Sequence, residues 1–336
     1  MTRETRVPSR RRLRRRERAA LAAASLTALA LTASGCVVVH GEREVLPATT
    51  QGEAAKAFQQ FTTAYNAADK AYDASLDADF ATGAFGDIDA ARLKARHTNY
   101  PQGNKAHTPL VLSDAKYTIP KKAGWPRWFV VDAKGNKASK LRWLMVFLRH
   151  DEREPWQVAY LTLVKPASLP RFKKDADGFA QAVDPASADL VAAPKDLSRR
   201  YTTYLQNGGT DFANGVHTSV WRANRKKQSR RPGLATQYID SPLSGGDYAP
   251  LALRTEDGGA LVFFASRHYQ KQTAAAGASV PNPGRDVLAL TTGEIKQSLM
   301  MEFVSNEVAL DPGKGSAGAR LTVLGRTQGM TSAQGS

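Results

Sequence analysis

The sequence is poor in cysteine and in recognisable catalytic or metal-binding motifs. Cys36 is the only cysteine among 336 residues, so no disulfide can form within the chain. The six histidines are scattered, and none has the spacing of a zinc site. No nucleophile elbow, zinc-protease helix motif or Walker phosphate loop occurs. We therefore assign no catalytic residue, no metal site and no cofactor from the sequence.

The N-terminal segment has the three parts of an export signal. Residues 1–18 contain nine arginines and two acids, and residues 19–33 carry no charge. Small residues then precede Cys36. This order predicts a secretory signal peptide over residues 1–35. Residues 9–13, Ser-Arg-Arg-Arg-Leu, also allow a twin-arginine signal, so the Sec and twin-arginine routes both stay open.

The segment Ala33-Ser34-Gly35-Cys36 resembles the lipobox of bacterial lipoproteins, although Ala33 stands where leucine is usual. The resemblance implies cleavage before Cys36 and attachment of diacylglyceryl to its thiol. The mature protein would then be anchored on the outer face of the cytoplasmic membrane. The alternative is an uncleaved helix over residues 19–39, which is long enough to span a bilayer. In both cases the arginines stay inside and the bulk of the chain lies outside.

The charge balance favours an anionic partner. The whole chain carries +16, and removal of residues 1–35 leaves about +9. A strongly basic segment contains six bases within ten residues and no acid: Arg222, Arg225, Lys226, Lys227, Arg230 and Arg231. We predict that it contacts lipid headgroups or wall polymers, the alternative being a solvated loop or helix end. The extracytoplasmic address argues against nucleic acid.

The first half predicts a helix followed by strands. Thr50 and Glu53 form a capping-box pattern. Helical spacing then relates five large apolar side chains: Phe58, Phe61, Tyr65, Tyr72 and Leu76. Strand patterns follow at residues 128–131, 141–149 and 156–164. They are typical of an antiparallel sheet with one covered face.

The second half repeats this order. Leu197, Tyr201, Tyr204 and Leu205 mark a helix that Gly208-Gly209 stops. Strand patterns follow at residues 249–254, 260–268, 294–310 and 319–327. Three short echoes between the halves, such as Asp79-Phe80-Ala81 and Asp211-Phe212-Ala213, occur in the same order and indicate a duplicated unit.

This element order resembles the nuclear-transport-factor-2-like (NTF2-like, or cystatin-like) fold in tandem, as in lipoproteins of high-GC Gram-positive bacteria. The resemblance implies an α+β protein of two units, each a helix packed on an antiparallel sheet. The boundaries follow from the patterns above: signal peptide 1–35, tether 36–52, first domain 53–165, linker 166–194, second domain 195–328 and disordered tail 329–336.

Some conspicuous side chains have simpler roles than binding. Five aspartates between residues 73 and 89 are dense, but an EF-hand loop starting at Asp77 would need glycine and glutamate where Thr82 and Ile88 stand. We assign these acids to helix capping and solvation. We expect His150 and His268 to be solvated strand ends. Five aromatics are predicted to fill the core of the first half: Trp125, Trp128, Trp143, Trp156 and Tyr160.

The sequence thus favours a membrane-anchored lipoprotein that acts as a non-enzymatic binding or interaction module of the cell envelope. Its partners would be the membrane, through lipid on Cys36, and an envelope protein or polymer. The alternative is a small-pocket NTF2-like enzyme that uses an aspartate or histidine for acid–base chemistry.

Overall fold

In the computed structural model, which describes residues 44–316 and 318–336, helices pack on antiparallel sheets. The α-helices of these residues are α1 (Gln51–Ala71), α2 (Gly83–Asn99), α3 (Leu197–Asn207), α4 (Ser219–Gln228) and α5 (Arg285–Ala289). The strands are β1 (Val45–Pro47), β2 (Leu112–Thr118), β3 (Pro120–Ala123), β4 (Arg127–Gly135), β5 (Arg142–Arg149), β6 (Gln157–Val164), β7 (Ala180–Gln181), β8 (Arg230–Arg231), β9 (Leu234–Leu243), β10 (Leu251–Arg254), β11 (Ala260–Ala274), β12 (Thr291–Thr292), β13 (Ser298–Asp311) and β14 (Thr322–Gly335).

Helix α1 begins at the predicted cap. The Thr50 hydroxyl accepts a hydrogen bond of 3.1 Å from the amide of Glu53, which satisfies one of the free donors of the first turn. The apolar face of the helix, including Phe58 and Phe61, is buried against the first sheet. Tyr72 ends the helix in the left-handed conformation, at φ 54°. The predicted helix is confirmed as far as Ala71, but the predicted apolar stripe was too long: Tyr72 caps the helix, and Leu76 lies beyond it with 45% exposure.

The first sheet has the antiparallel order β2-β4-β5-β6. The face beneath α1 is filled by aromatic rings: Phe129 and Phe147 stack with centroids 4.8 Å apart, and Phe61 meets Phe147 edge-on at 5.9 Å. Trp156 packs edge-on against Phe129. Offset and edge-to-face pairs of this kind add to the burial of apolar area. The space between α1 and the first sheet is therefore filled by aromatic side chains of the first half.

The second sheet is larger, with the order β12-β14-β13-β11-β9-β8 and β10 paired to β11. Its long strands are antiparallel, whereas β12 joins β14 in parallel. Helix α3 covers one face, where Tyr201 meets Phe212 and Phe264 edge-on. Each half thus has a helix on an antiparallel sheet, and the predicted α+β class is confirmed.

The two sheets pack against each other through their remaining faces. Val130, Val146 and Tyr160 of the first sheet share one buried cluster with Phe263 and Val304 of the second. The first sheet is therefore covered on both faces, and the expectation of a single covered face was wrong. Polar residues on this face, such as Thr162, lie in the interior instead of water.

The C-terminal assignment was also wrong. Residues 329–336 were expected to form a disordered tail because they are rich in Gly, Ser, Thr and Gln. Instead β14 runs to Gly335 and pairs with β13 as far as Leu299. The backbone oxygen of Ser336 accepts hydrogen bonds from Gln297 and Ser298. A sheet ladder bonds main chain to main chain, so it tolerates side chains that carry no strand signal.

The predicted tether and linker also contribute to the packed structure. Within the tether, β1 pairs with β3 and Ala48 is buried. Within the linker, Val183 and Leu190 are buried beside α3. Residues 1–43, with the predicted signal peptide and Cys36, lie outside the described residues. The division into tandem domains stays a prediction. No helix of the described part combines the length and apolar character needed to span a bilayer.

We predict that truncating Phe263, which is fully buried between the sheets, lowers the free energy of unfolding by about 3–5 kcal/mol in Phe263→Ala. Ile239→Ala is the control, since Ile239 is 48% exposed and its loss should cost about 1 kcal/mol or less. Urea unfolding of the full chain in nonionic detergent measures both. Equal losses in the two variants would contradict a shared core between the sheets.

Candidate functional site

A cavity of about 500 Å³ opens between helix α4 and strand β9 in the second half. Its wall contains three bases, Arg222, Arg225 and Lys226, and one acid, Asp240. Tyr238 and Thr236 of β9 line the opposite side. The bases come from successive turns of α4, because residues three or four apart share one helix face. The cavity is therefore predominantly cationic.

Arg225 is the central group of this cavity. Its side chain is only 8% exposed, and Nη1 lies 2.8 Å from both carboxylate oxygens of Asp240. The guanidinium lies between two rings, 5.3 Å from the centroid of Trp221 and 4.8 Å from that of Tyr238. Burial lowers the pKa of Arg225 and raises that of Asp240, while their mutual attraction opposes both shifts. The two hydrogen bonds to Asp240 and the two rings hold the guanidinium of Arg225 in one position.

A second buried ion pair lies next to the first. Arg326 of β14 places Nε 3.3 Å from Oε1 of Glu307, with side-chain exposures of 3% and 0%. The Ser266 hydroxyl donates to the same carboxylate at 2.6 Å. The Arg326 guanidinium lies 4.1 Å from the Trp221 ring centroid, so this ring contacts both arginines. Burial raises the pKa of Glu307 to about 7, against the effect of Arg326.

His268 lies in the same group, in the middle of β11. Its ring stacks on Phe303 with centroids 4.8 Å apart and meets Trp221 edge-on at 6.5 Å. The expectation of a solvated strand end was wrong for His268, which is 2% exposed because β11 continues to Ala274. Burial, and then the charges of Arg225 and Arg326, lower the pKa of His268 to about 2. The imidazole is therefore neutral.

This group leaves several buried polar atoms without a hydrogen-bond partner among the described residues. They are Nε and Nη2 of Arg225, Nε1 of Trp221, Nδ1 of His268 and Oε2 of Glu307. Folded proteins rarely leave such atoms unpaired, because each costs about 1–3 kcal/mol. Two of these atoms belong to Arg225 in the wall of the cavity and the other three to side chains packed behind it, so this part of the interior has hydrogen-bonding capacity that ordered water could meet.

The six residues of the predicted basic segment differ in burial. Arg225 is buried, whereas Lys226, Lys227, Arg230 and Arg231 are exposed. Arg222 is half-buried, and its Nε donates to the carbonyl of Leu205 at 3.2 Å. The segment forms helix α4 and the short edge strand β8, not a loop. Its contact with headgroups or wall polymers stays a prediction.

The remaining predicted residues have varied surroundings. Trp128, Trp143, Trp156 and Tyr160 are buried, as core filling requires, but Trp125 is 37% exposed. His150 is half-exposed at the end of β5 and lies 2.6 Å from Asp247. Asp73 caps a short helix by accepting from the amide of Ser75. The sequence analysis missed Glu307 and Arg326, although a glutamate within an apolar strand is a signal for a buried polar role.

Comparison with known proteins gives the family of the chain. Residues 45–335 match the model of a domain of unknown function, DUF8094, and the protein belongs to this family. A relative from Streptomyces coelicolor, named an uncharacterised lipoprotein, is 67% identical over 97% of this chain and 98% of its own length. A second, from Streptomyces avermitilis and also named an uncharacterised lipoprotein, is 56% identical over the same shares.

A third relative lies further away. It is another uncharacterised lipoprotein of Streptomyces coelicolor, 30% identical over 67% of this chain and 64% of its own length. No solved structure is significantly similar to the chain.

The neutral His268 predicts a pH dependence of stability. Below about pH 6.5 the unfolded chain binds a proton on His268 and the folded chain does not. The free energy of unfolding therefore falls as the pH falls. Between about pH 7 and about pH 5 we expect the wild type to lose on the order of 2 kcal/mol more than His268→Gln. Urea unfolding at each pH measures this. His97→Gln, at an exposed position, is the control and should behave like the wild type. If the free energy of unfolding depends on pH equally in all three proteins, His268 is protonated in the folded state and the prediction is wrong.

Proposed function

We propose that the protein is a lipid-anchored lipoprotein of the cell envelope that binds an anionic ligand without chemically changing it. The anchor is lipid on Cys36, and the binding site is the cavity around Arg225. Support for the anchor comes from the lipobox-like residues 33–36 and from relatives that carry the name lipoprotein over 97% of this chain. The arginines of residues 1–18 favour the outer face of the cytoplasmic membrane.

The observation that carries the binding role is the excess of positive charge on the wall of the cavity. Asp240 pairs with Arg225, whereas Arg222 and Lys226 have no acid opposite them in the wall. The guanidinium of Arg222 and the exposed ammonium of Lys226 can both donate to a carboxylate or a phosphate. An anionic group entering the cavity would therefore meet two positive charges that no side chain of the wall neutralises.

The position of the acid–base groups supports binding over catalysis. His268 is 2% exposed and Glu307 is fully buried. Neither belongs to the wall of the cavity, which is formed by α4, β9 and the end of α3. A general base must lie within hydrogen-bond reach of the proton it removes. These two side chains instead hold Trp221 and Arg326 in position behind the site.

The tandem NTF2-like arrangement is part of the same proposal. Each half has a helix that covers one face of an antiparallel sheet, α1 in the first half and α3 in the second. The core beneath α1 in the first unit is filled by aromatic rings, whereas the second unit has a cationic cavity between α4 and β9. The first unit then stabilises the fold, and the second unit binds the anionic ligand.

The lipid anchor predicts a simple labelling result. A tagged fatty acid fed to cells should label the wild type and not Cys36→Ser, because the thiol is the acceptor of the diacylglyceryl group. Ser34→Ala keeps the small residue that the lipobox requires and should be labelled like the wild type. Label retained in Cys36→Ser would contradict the proposed anchor.

The binding role predicts stabilisation by inorganic phosphate. A ligand that binds the folded state raises Tm by an amount that grows with the logarithm of its concentration once this exceeds Kd. We expect phosphate to raise the Tm of the full chain, and Arg222→Ser/Lys226→Ser to lose most of the response. Lys137→Ser/Lys140→Ser removes the same charge from exposed positions and should keep it.

General salting-out by phosphate acts on all three proteins alike, so the difference between the two double variants measures the site. Sodium chloride at matched ionic strength controls for screening. An equal response from the two double variants would contradict an anion site in this cavity.

A further inference from the structure

Exposed apolar side chains lie close together where the chain enters the described structure. Val45 and Leu46 of β1 are 58% and 39% exposed, and Trp125 is 37% exposed. Three of the ten large apolar side chains exposed among the described residues are therefore found here, and Trp125 is the one tryptophan among them. We call Val45, Leu46 and Trp125 the entry surface. None of the three lines the cavity around Arg225.

Main-chain pairing brings the entry surface together. Strand β1, which contains Val45 and Leu46, pairs with β3 in antiparallel register. Trp125 lies two residues beyond the end of β3, in the turn that leads to β4. Arg127 links this turn to β1, because its Nη1 donates to the carbonyl of Pro47 at 3.1 Å and its guanidinium lies 5.0 Å from the centroid of the Trp125 ring. The apolar side chains are therefore held by paired main chain and by a shared arginine.

Two arginines flank the ring of Trp125. The guanidinium groups of Arg127 and Arg149 lie 5.0 Å and 5.3 Å from its centroid. Arg149 is paired with Glu53 at 2.9 Å, whereas Arg127 donates to a main-chain carbonyl instead of to an acid. A tryptophan ring with a base beside it is typical of the headgroup level of a membrane, where the ring has both apolar and polar neighbours.

The charge around the entry surface is mixed. The turn after β5 exposes three acids, Asp151, Glu152 and Glu154, and one base, Arg153. This end of the first sheet therefore has no broad excess of positive charge, and attraction to a polyanion does not explain the exposed Trp125. The contact we infer here depends on removal of apolar area from water.

The length of the preceding chain indicates what lies near the entry surface. Val45 is nine positions after Cys36, and nine residues span at most about 30 Å when fully extended. Lipid on Cys36 would therefore keep the entry surface within that distance of the bilayer. A second contact made by a tethered protein is intramolecular, so a few apolar side chains are enough where a free protein would need a larger surface.

We propose that the entry surface docks on the lipid bilayer, with the Trp125 ring at the level of the headgroups and the side chains of Val45 and Leu46 against the acyl chains. The inference rests on the proposed lipid anchor, which brings this surface to the membrane. A wall polymer is excluded as the occupant because it offers charge without an apolar phase. Docking fixes which end of the protein faces the membrane.

The test is quenching of tryptophan fluorescence by brominated lipid. The full chain is reconstituted from nonionic detergent into vesicles of phosphatidylcholine and phosphatidylglycerol, with or without bromine on the acyl chains, and flotation isolates the bound protein. Bromine quenches only rings that it closely approaches. We expect bromolipid to remove roughly a fifth of the wild-type emission, since one of the five tryptophans is exposed.

Two single variants assign the quenched ring. Trp125→Phe should lose the quenching by bromolipid, because the remaining tryptophans do not reach the membrane. Trp143→Phe is the control: it removes a tryptophan of the same sheet that is only 8% exposed, and it should keep the quenching.

A double variant tests the aliphatic part of the surface with all five tryptophans in place. Val45→Ser/Leu46→Ser should reduce the quenching at least about twofold, because less apolar area is then buried in the docked state. Val111→Ser/Leu76→Ser changes the same two residue types at positions that are 57% and 45% exposed outside the entry surface, and should be quenched like the wild type. Circular dichroism confirms that each variant is folded.

Flotation of the wild type without quenching would overturn the proposal and leave the lipid anchor intact. The same result is expected if residues 37–43 or a second copy of the chain cover the entry surface. Equal quenching of the wild type and Trp125→Phe, or of the two double variants, would also overturn it. Failure of the anchor is detected separately, by fatty-acid label on Cys36→Ser, which does not depend on the position of Trp125.

Discussion

The contact between the two sheets is the constraint on which the rest of the structure depends. It buries Val146 and Phe263 between the sheets, so the strands at the contact are covered on both faces. The helices α1 and α3 are then confined to the two outer faces. Helix α2 packs across the edge of the contact, against β6 and β14. The cavity around Arg225 lies away from this contact, between α4 and β9.

Buried charge is held in two ways in this molecule. Around Arg225 the charged groups are paired one to one, and the excess charge on the wall of the cavity is positive. Arg92 instead bridges two carboxyl groups, those of Asp69 and Asp89. Burying either set costs free energy that packing elsewhere must offset. Such groups are often found where a protein binds or reacts, and this is the physical basis of the proposed anion site.

The sequence predicted best those elements whose side chains have one dominant periodicity. Helix α1 and strands β5 and β6 lie close to their predicted ranges because large apolar residues face the core at regular spacing. Helix α2 was missed because its buried residues include the small Ala84, Ala91 and Ala95, which give a weak pattern.

The candidate site was only partly predictable. The basic run of the sequence included Arg225 but did not distinguish it from the other five bases of the run. Its partner Asp240 lies on β9, and the position of β9 in the sheet depends on its pairing with β11. His268 was not predictable as a member of this buried group, because β11 extends beyond its apolar pattern and contacts between distant strands have no local signature.

The pairing of β14 with β13 has a consequence for truncated forms of the protein. β14 covers one edge of β13 along almost its whole length, from Leu299 to Leu310. Loss of β14 would leave the main-chain N–H and C=O groups of that edge without partners. An exposed strand edge is a template for pairing with another chain, so a protein cut before Thr322 would be prone to aggregate.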